Sequence, residues 1–177
     1  MRAYLISHKG ELVDLDHKDR EILEMLQNNS RLGFEQIAAM LGTDRQDVEN
    51  RIKELEEKRI IVKYNSLINW EKAGEDVVSA IIEVKVSPQR GAGFDKLAER
   101  IYRFPEVKAV YLMSGSYDFS VLVEGTNMKD VAFFVGTKLA TIDNVLSTAT
   151  HFVLKKFKQE GVILDDKEED RRLVISP

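Results

Sequence analysis

Apolar residues recur at intervals of three and four through residues 15–59, which predicts amphipathic helices that each bury one face. Three helices are predicted there. The first follows Asp16 as its N-cap, and the third follows Asp44 as its N-cap and runs to about residue 58. Gly42 supplies a sharp turn between the second helix and the third. An apolar run at 60–64 then predicts a short strand.

The pattern changes after residue 76 to strands interrupted by two helical stretches. The predicted order is strand, helix, strand, strand, helix, strand, over 77–86, 94–102, 107–113, 117–123, 128–139 and 145–156. This βαββαβ order is typical of the ferredoxin-like plan, in which two helices cover one face of a four-stranded sheet. The other face is expected to meet a second subunit through apolar residues, namely Ile81, Leu112, Leu122, Phe152 and Leu154.

The predicted fold class is therefore α+β, with an N-terminal winged helix-turn-helix domain and a C-terminal βαββαβ domain. The boundaries we expect are 1–64 for the first domain, 65–76 for a linker, 77–161 for the second domain and 162–177 for a charged tail. Two short helices joined by a glycine turn form the unit that fits a DNA major groove. The spacing alone is equally compatible with a plain three-helix bundle.

Composition excludes several function classes. The 177 residues include no cysteine, so disulfides, thiolate metal sites and cysteine nucleophiles are excluded. No apolar run approaches the roughly 18 residues that span a membrane, and no apolar signal segment precedes Gly10, so a cytoplasmic protein is expected. His8, His17 and His151 fall in separate elements, so we expect no metal site, no cofactor and no enzyme activity.

Charge argues against indiscriminate binding to nucleic acid. The formal net charge is -4, and neither half of the chain is polybasic. The third helix itself carries Asp44, Asp47 and Glu49, which repel phosphates. Capping and the helix dipole account for the first two, because carboxylates are favourable in a first turn. Glu49 lacks that explanation, although a carboxylate can accept a hydrogen bond from cytosine.

A series of short motifs appears in a consistent order from about Leu15 to Gly161. They are Leu15-Asp16, Asp19-Arg20-Glu21-Ile22-Leu23, Asn29-Ser30-Arg31, Ile37-Ala38, Gly42, Arg51-Ile52-Lys53-Glu54-Leu55-Glu56-Glu57, Trp70-Glu71-Lys72-Ala73-Gly74, Phe104-Pro105-Glu106-Val107 and Gly115-Ser116-Tyr117-Asp118. With these motifs the chain resembles the Lrp/AsnC, or feast/famine, family of transcriptional regulators. None is specific alone, but their order over this length is hard to produce by accident.

The resemblance implies a sequence-specific regulator of transcription that binds double-stranded DNA and responds to an amino acid or related small metabolite. It also implies a homodimer, with tetramers or octamers as larger assemblies, held by a RAM-type C-terminal domain. The DNA-contacting residues that we expect are Arg45, Gln46, Asn50, Arg51, Lys53, Arg59 and Lys63. The effector-binding residues that we expect are Gly115, Ser116, Tyr117, Asp118, Thr148 and Thr150.

Each of these assignments has a simpler alternative. Arg51 could be an exposed helix arginine paired with Glu49 or Glu54, and Asp118 could be a turn or capping residue. The two threonines could be ordinary sheet residues.

At the level of function, the acidic third helix leaves open a metabolite-sensing or protein-interaction module with degenerate DNA binding. Sirohaem decarboxylases are similar in domain plan. They are expected to carry a His-Asn-Tyr segment where this chain has Val110-Tyr111-Leu112, which disfavours an enzyme.

Overall fold

The computed structural model describes residues 15–87 and 93–164. The chain divides into two compact units, Met1–Leu67 and Ile68–Pro177, and the division falls within the predicted linker. The charged run at 165–172 and the apolar residues Leu173, Val174 and Ile175 lie outside the described residues, as does His8.

The first unit is built from three helices, α1 (His17–Asn28), α2 (Phe34–Leu41) and α3 (Arg45–Glu57). Asp16 and Asp44 cap α1 and α3 as predicted, each accepting the backbone N–H three residues on. Gly42 ends α2 in the left-handed conformation with φ of 63°, which suits a residue without a side chain. The core contains the predicted stripes, with Ile22, Leu26, Ile37, Ala38, Val48, Ile52 and Leu55 buried.

The strand predicted at 60–64 is wrong, because no strand is present between α3 and the end of the first unit. The backbone N–H groups of Ile60 and Ile61 both donate to the Leu55 carbonyl, at 2.8 and 3.1 Å. They close the end of α3 and do not enter a ladder. Arg59 makes this turn in the left-handed conformation, with φ of 55°. The first unit is therefore a helix-turn-helix domain without the predicted wing strand in its described part.

The second unit contains a four-stranded antiparallel sheet in the order β2-β3-β1-β4. Its elements are β1 (Val78–Val86), α4 (Gly93–Tyr102), β2 (Val107–Leu112), β3 (Phe119–Gly125), α5 (Met128–Phe134) and β4 (Val145–Phe152). The predicted βαββαβ order is confirmed. The alternating residues of β1 and β3 that face the helices form the core, with Ala80, Ile82, Val84, Phe119, Val121 and Val123 essentially inaccessible.

The strand register corrects part of the predicted open face. Ile81 pairs with Leu122 and His151, on the face opposite the core. Phe152 pairs instead with the buried Ala80 and packs against the core, so its predicted outward position is wrong. Leu112 pairs with the buried Phe119, so it also belongs to the helix side, although it is exposed.

Two further features were not predicted. A π-helical segment, Val135–Leu139, extends α5, and at the end of α5 Phe134 is buried whereas Ala132 is exposed. After β4, a small hairpin joins β5 (Lys158–Gln159) to β6 (Val162–Ile163) through Glu160 and Gly161, both with positive φ. Across residues 15–87 and 93–164, no helix has the length and apolar character needed to cross a membrane.

Candidate functional site

The surface of α3 opposite its buried stripe is polar and exposed. Gln46, Asn50 and Lys53 follow one another at helical spacing on this outward face, whereas Val48, Ile52 and Leu55 point into the core. Gln46 Nε2 donates to Asn50 Oδ1 at 3.1 Å, so two amide side chains lie side by side. Asn and Gln are the side chains that pair with both hydrogen-bonding groups of an adenine edge.

Three other predicted cations lie at the start of α3 or follow its end. Arg45, at the first position of α3, lies 3.7 Å from Glu35 of α2, a distant contact between two exposed side chains. Arg59 and Lys63 follow the helix and are exposed. Lys53 lies 4.0 Å from Glu57, and both ends of that pair are open to solvent. Exposed pairs of this kind are weak, so these cations remain available to a phosphate backbone.

Arg51 has a different environment from the other predicted DNA contacts. Its Nη1 donates to Asp16 Oδ2 at 2.7 Å and to Asp19 Oδ1 at 2.8 Å, and its Nε donates to Asp47 Oδ1 at 3.0 Å. Only a quarter of the side chain is exposed. The guanidinium therefore joins the first turn of α1 to the first half of α3, and its partners are not Glu49 or Glu54, the pairs that the simpler alternative named.

Neighbouring groups complete this network and tune its charges. Thr43 Oγ1 donates to Asp47 at 2.9 Å and Lys18 Nζ donates to it at 3.2 Å, and these bonds hold the pKa of Asp47 below its usual range. The pKa of Asp16 is lowered by the backbone N–H of Asp19 and by Arg51. The carboxylates in turn raise the pKa of Arg51. Asp47, which the sequence suggested would repel DNA, is thus compensated within the domain.

The sequence contained part of the signal for this network. Asp16 and Asp19 have the spacing of a capping box, and Asp47 and Arg51 have the i,i+4 spacing of a helix ion pair. Nothing in the sequence brings the two pairs together, because 32 residues separate Asp19 from Arg51. Lys18 carries no sequence signal at all for its contact with Asp47.

In the second unit, the predicted effector turn at residues 115–118 lies at one end of β1. The Asp118 carboxylate accepts a hydrogen bond from the Val86 N–H at 2.8 Å. The backbone N–H of Asp118 donates to the Val84 carbonyl at 3.0 Å. One carboxylate oxygen of Asp118 is therefore committed to the backbone. Ser116 is exposed, and Tyr117 is half-buried. A Cβ built on Gly115 would have no atom within 4 Å, so the turn borders open space.

Thr148 lies toward the same end of β1, on the opposite neighbour in the sheet, and Thr150 lies beside the middle of β1. They pair with Val84 and Ile82 and are half-buried on the helix side of β4. Val84 pairs with Phe119 on its other side, directly after Asp118. The structure thus brings the turn and Thr148 to the two flanks of a single strand end.

A cleft of about 310 Å³ that the sequence did not predict lies between β3 and α5 in the second unit. Glu106 and Lys138 form an ion pair at its wall, and the hydrogen bond from Lys138 lowers the pKa of Glu106. Lys138 Nζ also lies 5.8 and 5.9 Å from the ring centres of Phe104 and Phe134. Two of the charged side chains that line this cleft thus pair with each other.

The two histidines in the described residues each lie near an acidic side chain and not near each other. His17 lies 3.0 Å from Glu21, and His151 lies 3.5 Å from Glu83 across the open face of the sheet. Within the part of the chain that the structure describes, no group of three or more acidic or histidine side chains is placed to hold a metal ion.

Comparison with known proteins agrees with both units. Residues 15–56 match the AsnC-type helix-turn-helix domain, and residues 79–163 match the Lrp/AsnC ligand binding domain. The chain belongs to the Lrp/AsnC family of transcriptional regulators. The Lrp/AsnC ligand-binding match covers β1 through β6, including the hairpin beyond β4, and the helix-turn-helix match covers the capping network and the outward face of α3.

Individual Lrp/AsnC proteins match over most of their length. The chain is 51% identical over 164 residues to the uncharacterised HTH-type transcriptional regulator YugG of Bacillus subtilis, covering 92% of this chain and 99% of that protein. It is 33% identical to the HTH-type transcriptional regulator LrpA of Pyrococcus horikoshii, covering 81% of this chain and 99% of that one. A transcriptional regulator of Neisseria meningitidis, crystallised in complex with L-methionine, superposes with a TM-score of 0.68 at 27% identity, covering 82% and 94% of the two chains.

Proposed function

We propose that this metabolite-responsive DNA-binding regulator places α3 in the major groove of double-stranded DNA, with its outward polar stripe against the bases. The observation that carries the proposal is the exposed run of Gln46, Asn50 and Lys53, opposite a fully buried stripe on a helix of 13 residues. In a helix-turn-helix unit, the helix that follows the turn enters the major groove, and here that helix is α3. DNA as the partner also favours a cytoplasmic location.

Within this interface, Gln46 and Asn50 are the groups for base edges, and Arg45, Lys53, Arg59 and Lys63 are the groups for phosphates. The division rests on chemistry, because paired amides read adenine whereas flexible cations neutralise the backbone without reading sequence. Few cations are present, so nonspecific affinity should be low and should depend only weakly on salt, because each phosphate contact adds about 0.9 to the slope of log affinity against log salt. Arg51 belongs to neither group, because its Nη1 and Nε donate to carboxylates within the domain.

Sequencing of genomic fragments retained by the full chain tests this proposal. At moderate salt we expect enrichment of fragments that share a pseudo-palindrome. Lys53→Glu should reduce retention, whereas Lys129→Glu, the same charge change at an exposed position of α5, should leave it unchanged. Retention that vanishes uniformly as salt rises, or that never appears, would support the alternative function, a sensor or interaction module with degenerate DNA binding.

Self-association is the second part of the proposal. The face of the sheet opposite the core carries Ile81 and Tyr111, which are 42% and 59% exposed, together with Leu122. A second copy of the chain that covers this face would form a two-fold dimer. Such a dimer would present two α3 helices to successive half-sites, and larger assemblies of dimers could follow.

The third part concerns the effector. We place an amino acid or related small metabolite at the end of β1, between the turn formed by Gly115, Ser116, Tyr117 and Asp118 and the hydroxyls of Thr148 and Thr150. The support is the open space at Gly115 and the convergence of both segments on Val84. Because one oxygen of Asp118 already accepts a backbone N–H, its contribution to an ammonium group falls to the other oxygen.

The effector site is tested by titrating the full chain with L-methionine and with a panel of other amino acids. The readout is the change in DNA retention or in assembly size. Thr148→Val should weaken the response to whichever amino acid is active. Thr137→Val, the same change at an exposed position after α5, should not. An equal response from both variants would place the effector elsewhere. A ligand alters assembly or DNA binding only if it binds the two states with different affinity.

A further inference from the structure

Arg51 lies where a base-reading arginine is expected on α3, but its Nη1 and Nε donate to carboxylates within the domain. Nη1 donates to two carboxylates of α1, and Nε donates to Asp47. A bidentate contact to guanine needs two adjacent N–H groups of the guanidinium fork. Any such pair includes at least one nitrogen that is already bonded here, so reading guanine in this way would require an internal ion pair to break.

The same contacts make Arg51 the connection between two helices. Asp16 and Asp19 belong to the first turn of α1 and its cap, and Asp47 lies one turn before Arg51 on α3. Three carboxylates that converge on one point repel each other unless a cation lies among them. Lys18 reaches Asp47 but makes no contact with the other two carboxylates. Arg51 is the cation shared by all three.

We propose that Arg51 is a positioning residue for DNA recognition, which fixes the angle of α3 against α1 and contacts no base. This inference rests on the proposed function of α3. The ion pairs hold α3 at a fixed angle to α1, and this angle sets the direction in which the face with Gln46, Asn50 and Lys53 points. They also offset carboxylates that would otherwise repel phosphates near the groove.

Arg51→Met in the full chain tests the inference, because methionine preserves an unbranched apolar stem without the charge. We expect affinity for the preferred sequence to fall about tenfold, as for a coupled network, and affinity for a scrambled sequence to fall less. The loss of base preference should be spread over the whole site, and the slope of log affinity against log salt should match that of the unmodified protein. Relaxed preference at one base position only, or a slope smaller by about 0.9, would show a direct DNA contact and overturn the proposal.

A rescue experiment separates positioning from contact more sharply. Asp19→Asn and Asp47→Asn remove two of the converging charges while keeping an acceptor oxygen at each position. Combined with Arg51→Met, they should recover most of the lost DNA affinity, because the unpaired carboxylates that would push α1 and α3 apart are then reduced to one. The variant with only the two asparagine changes measures the general effect of their charge change on DNA affinity. Subtracting this effect completes a double-mutant cycle. A combined variant that binds as weakly as Arg51→Met alone, after this correction, would overturn the proposal.

Hydrogen exchange keeps this inference distinct from the proposed function. Arg51→Met should accelerate amide exchange in both α1 and α3, whether or not DNA is bound. Arg45→Met is the matched control, because Arg45 lies 3.7 Å from one exposed carboxylate and should show no such acceleration. If the unmodified protein fails to retain DNA, the proposed function fails and the positioning role in recognition fails with it. The helix connection is then still measured by exchange, and equal exchange in the two variants would refute the connection itself.

Discussion

Arg59→Gly should stabilise the first unit. Arg59 follows α3 with φ of 55°, in the left-handed region that residues with a side chain seldom adopt. It does so because the chain closes α3 with a Schellman motif, in which Arg59 N–H donates to Glu56 and Ile60 N–H donates to Leu55, at 2.9 and 2.8 Å. The helix end therefore needs a conformation that suits glycine better than arginine.

The expected gain follows from two opposing quantities. The left-handed conformation costs an L-residue about 1–2 kcal/mol, which glycine would not incur. Glycine loses more conformational freedom on folding, which returns about 0.5–1 kcal/mol of that gain. The free energy of unfolding of the first unit should therefore rise by about 0.5–1 kcal/mol. The corresponding slowing of amide exchange by global opening is about two- to fivefold.

Native-state hydrogen exchange of the full chain, read at the most protected amides of α1 and α3, measures this directly. Lys58→Gly is the matched control, because it removes the same charge one residue earlier, where φ is -76°. That variant should lose stability, since its backbone gains nothing from glycine. If Arg59→Gly also lost stability, or if both variants behaved alike, the argument from backbone conformation would be refuted. Arg59→Gly should nevertheless weaken DNA retention if Arg59 contacts a phosphate, so stability and binding should change in opposite directions.

Three further predictions concern acid, assembly and core. The pKa values of Asp16 and Asp47 are lowered in the fold, so the two ionised carboxylates stabilise the folded state above the reference pKa of 3.8. This stabilisation is lost as pH falls through the lowered pKa values. Acid unfolding, followed by circular dichroism, should therefore be less pronounced in Asp47→Asn than in the unmodified protein. Ile81→Asp should shift the sedimentation coefficient toward that of a monomer. Phe133→Asp, the control at another exposed apolar residue, should not. Equal behaviour of the two variants would exclude the open sheet face as the interface. Phe119→Ala should cost about 3–5 kcal/mol in chemical denaturation, and a cost below about 1 kcal/mol would contradict its place in the core, where it is 1% exposed.

The helices and strands of this chain were predictable where burial repeats with a clear period. In α3 the apolar positions recur every three or four residues, and in β1 every second residue is buried. The strand predicted at 60–64 failed for a local reason. An apolar run after a helix is typical of a strand. Here the backbone N–H groups of Ile60 and Ile61 instead donate to the Leu55 carbonyl at the end of the helix, so they are not available to a neighbouring strand.

The candidate site was predictable in its outward part and not in its connections. Exposure of Gln46, Asn50 and Lys53 follows from the helical period alone. The role of Arg51 does not, because its partners on α1 are distant in sequence and meet it only after the helices pack. Sequence periodicity specifies which face of a helix is polar. It does not specify which of the polar side chains on the edge of that face will turn toward a neighbouring helix.

The two oxygens of Asp16 serve bonds of very different range. Oδ1 accepts the Asp19 N–H three residues on, and Oδ2 accepts Arg51 from 35 residues away. A helix of 12 residues is marginal in isolation, so α1 has little reason to form before it docks. Its initiation and its docking share one carboxylate, which ties local nucleation to a long-range contact. We therefore expect α1 and α3 to fold and unfold together as a single cooperative step, with no stage at which one is formed and the other is not.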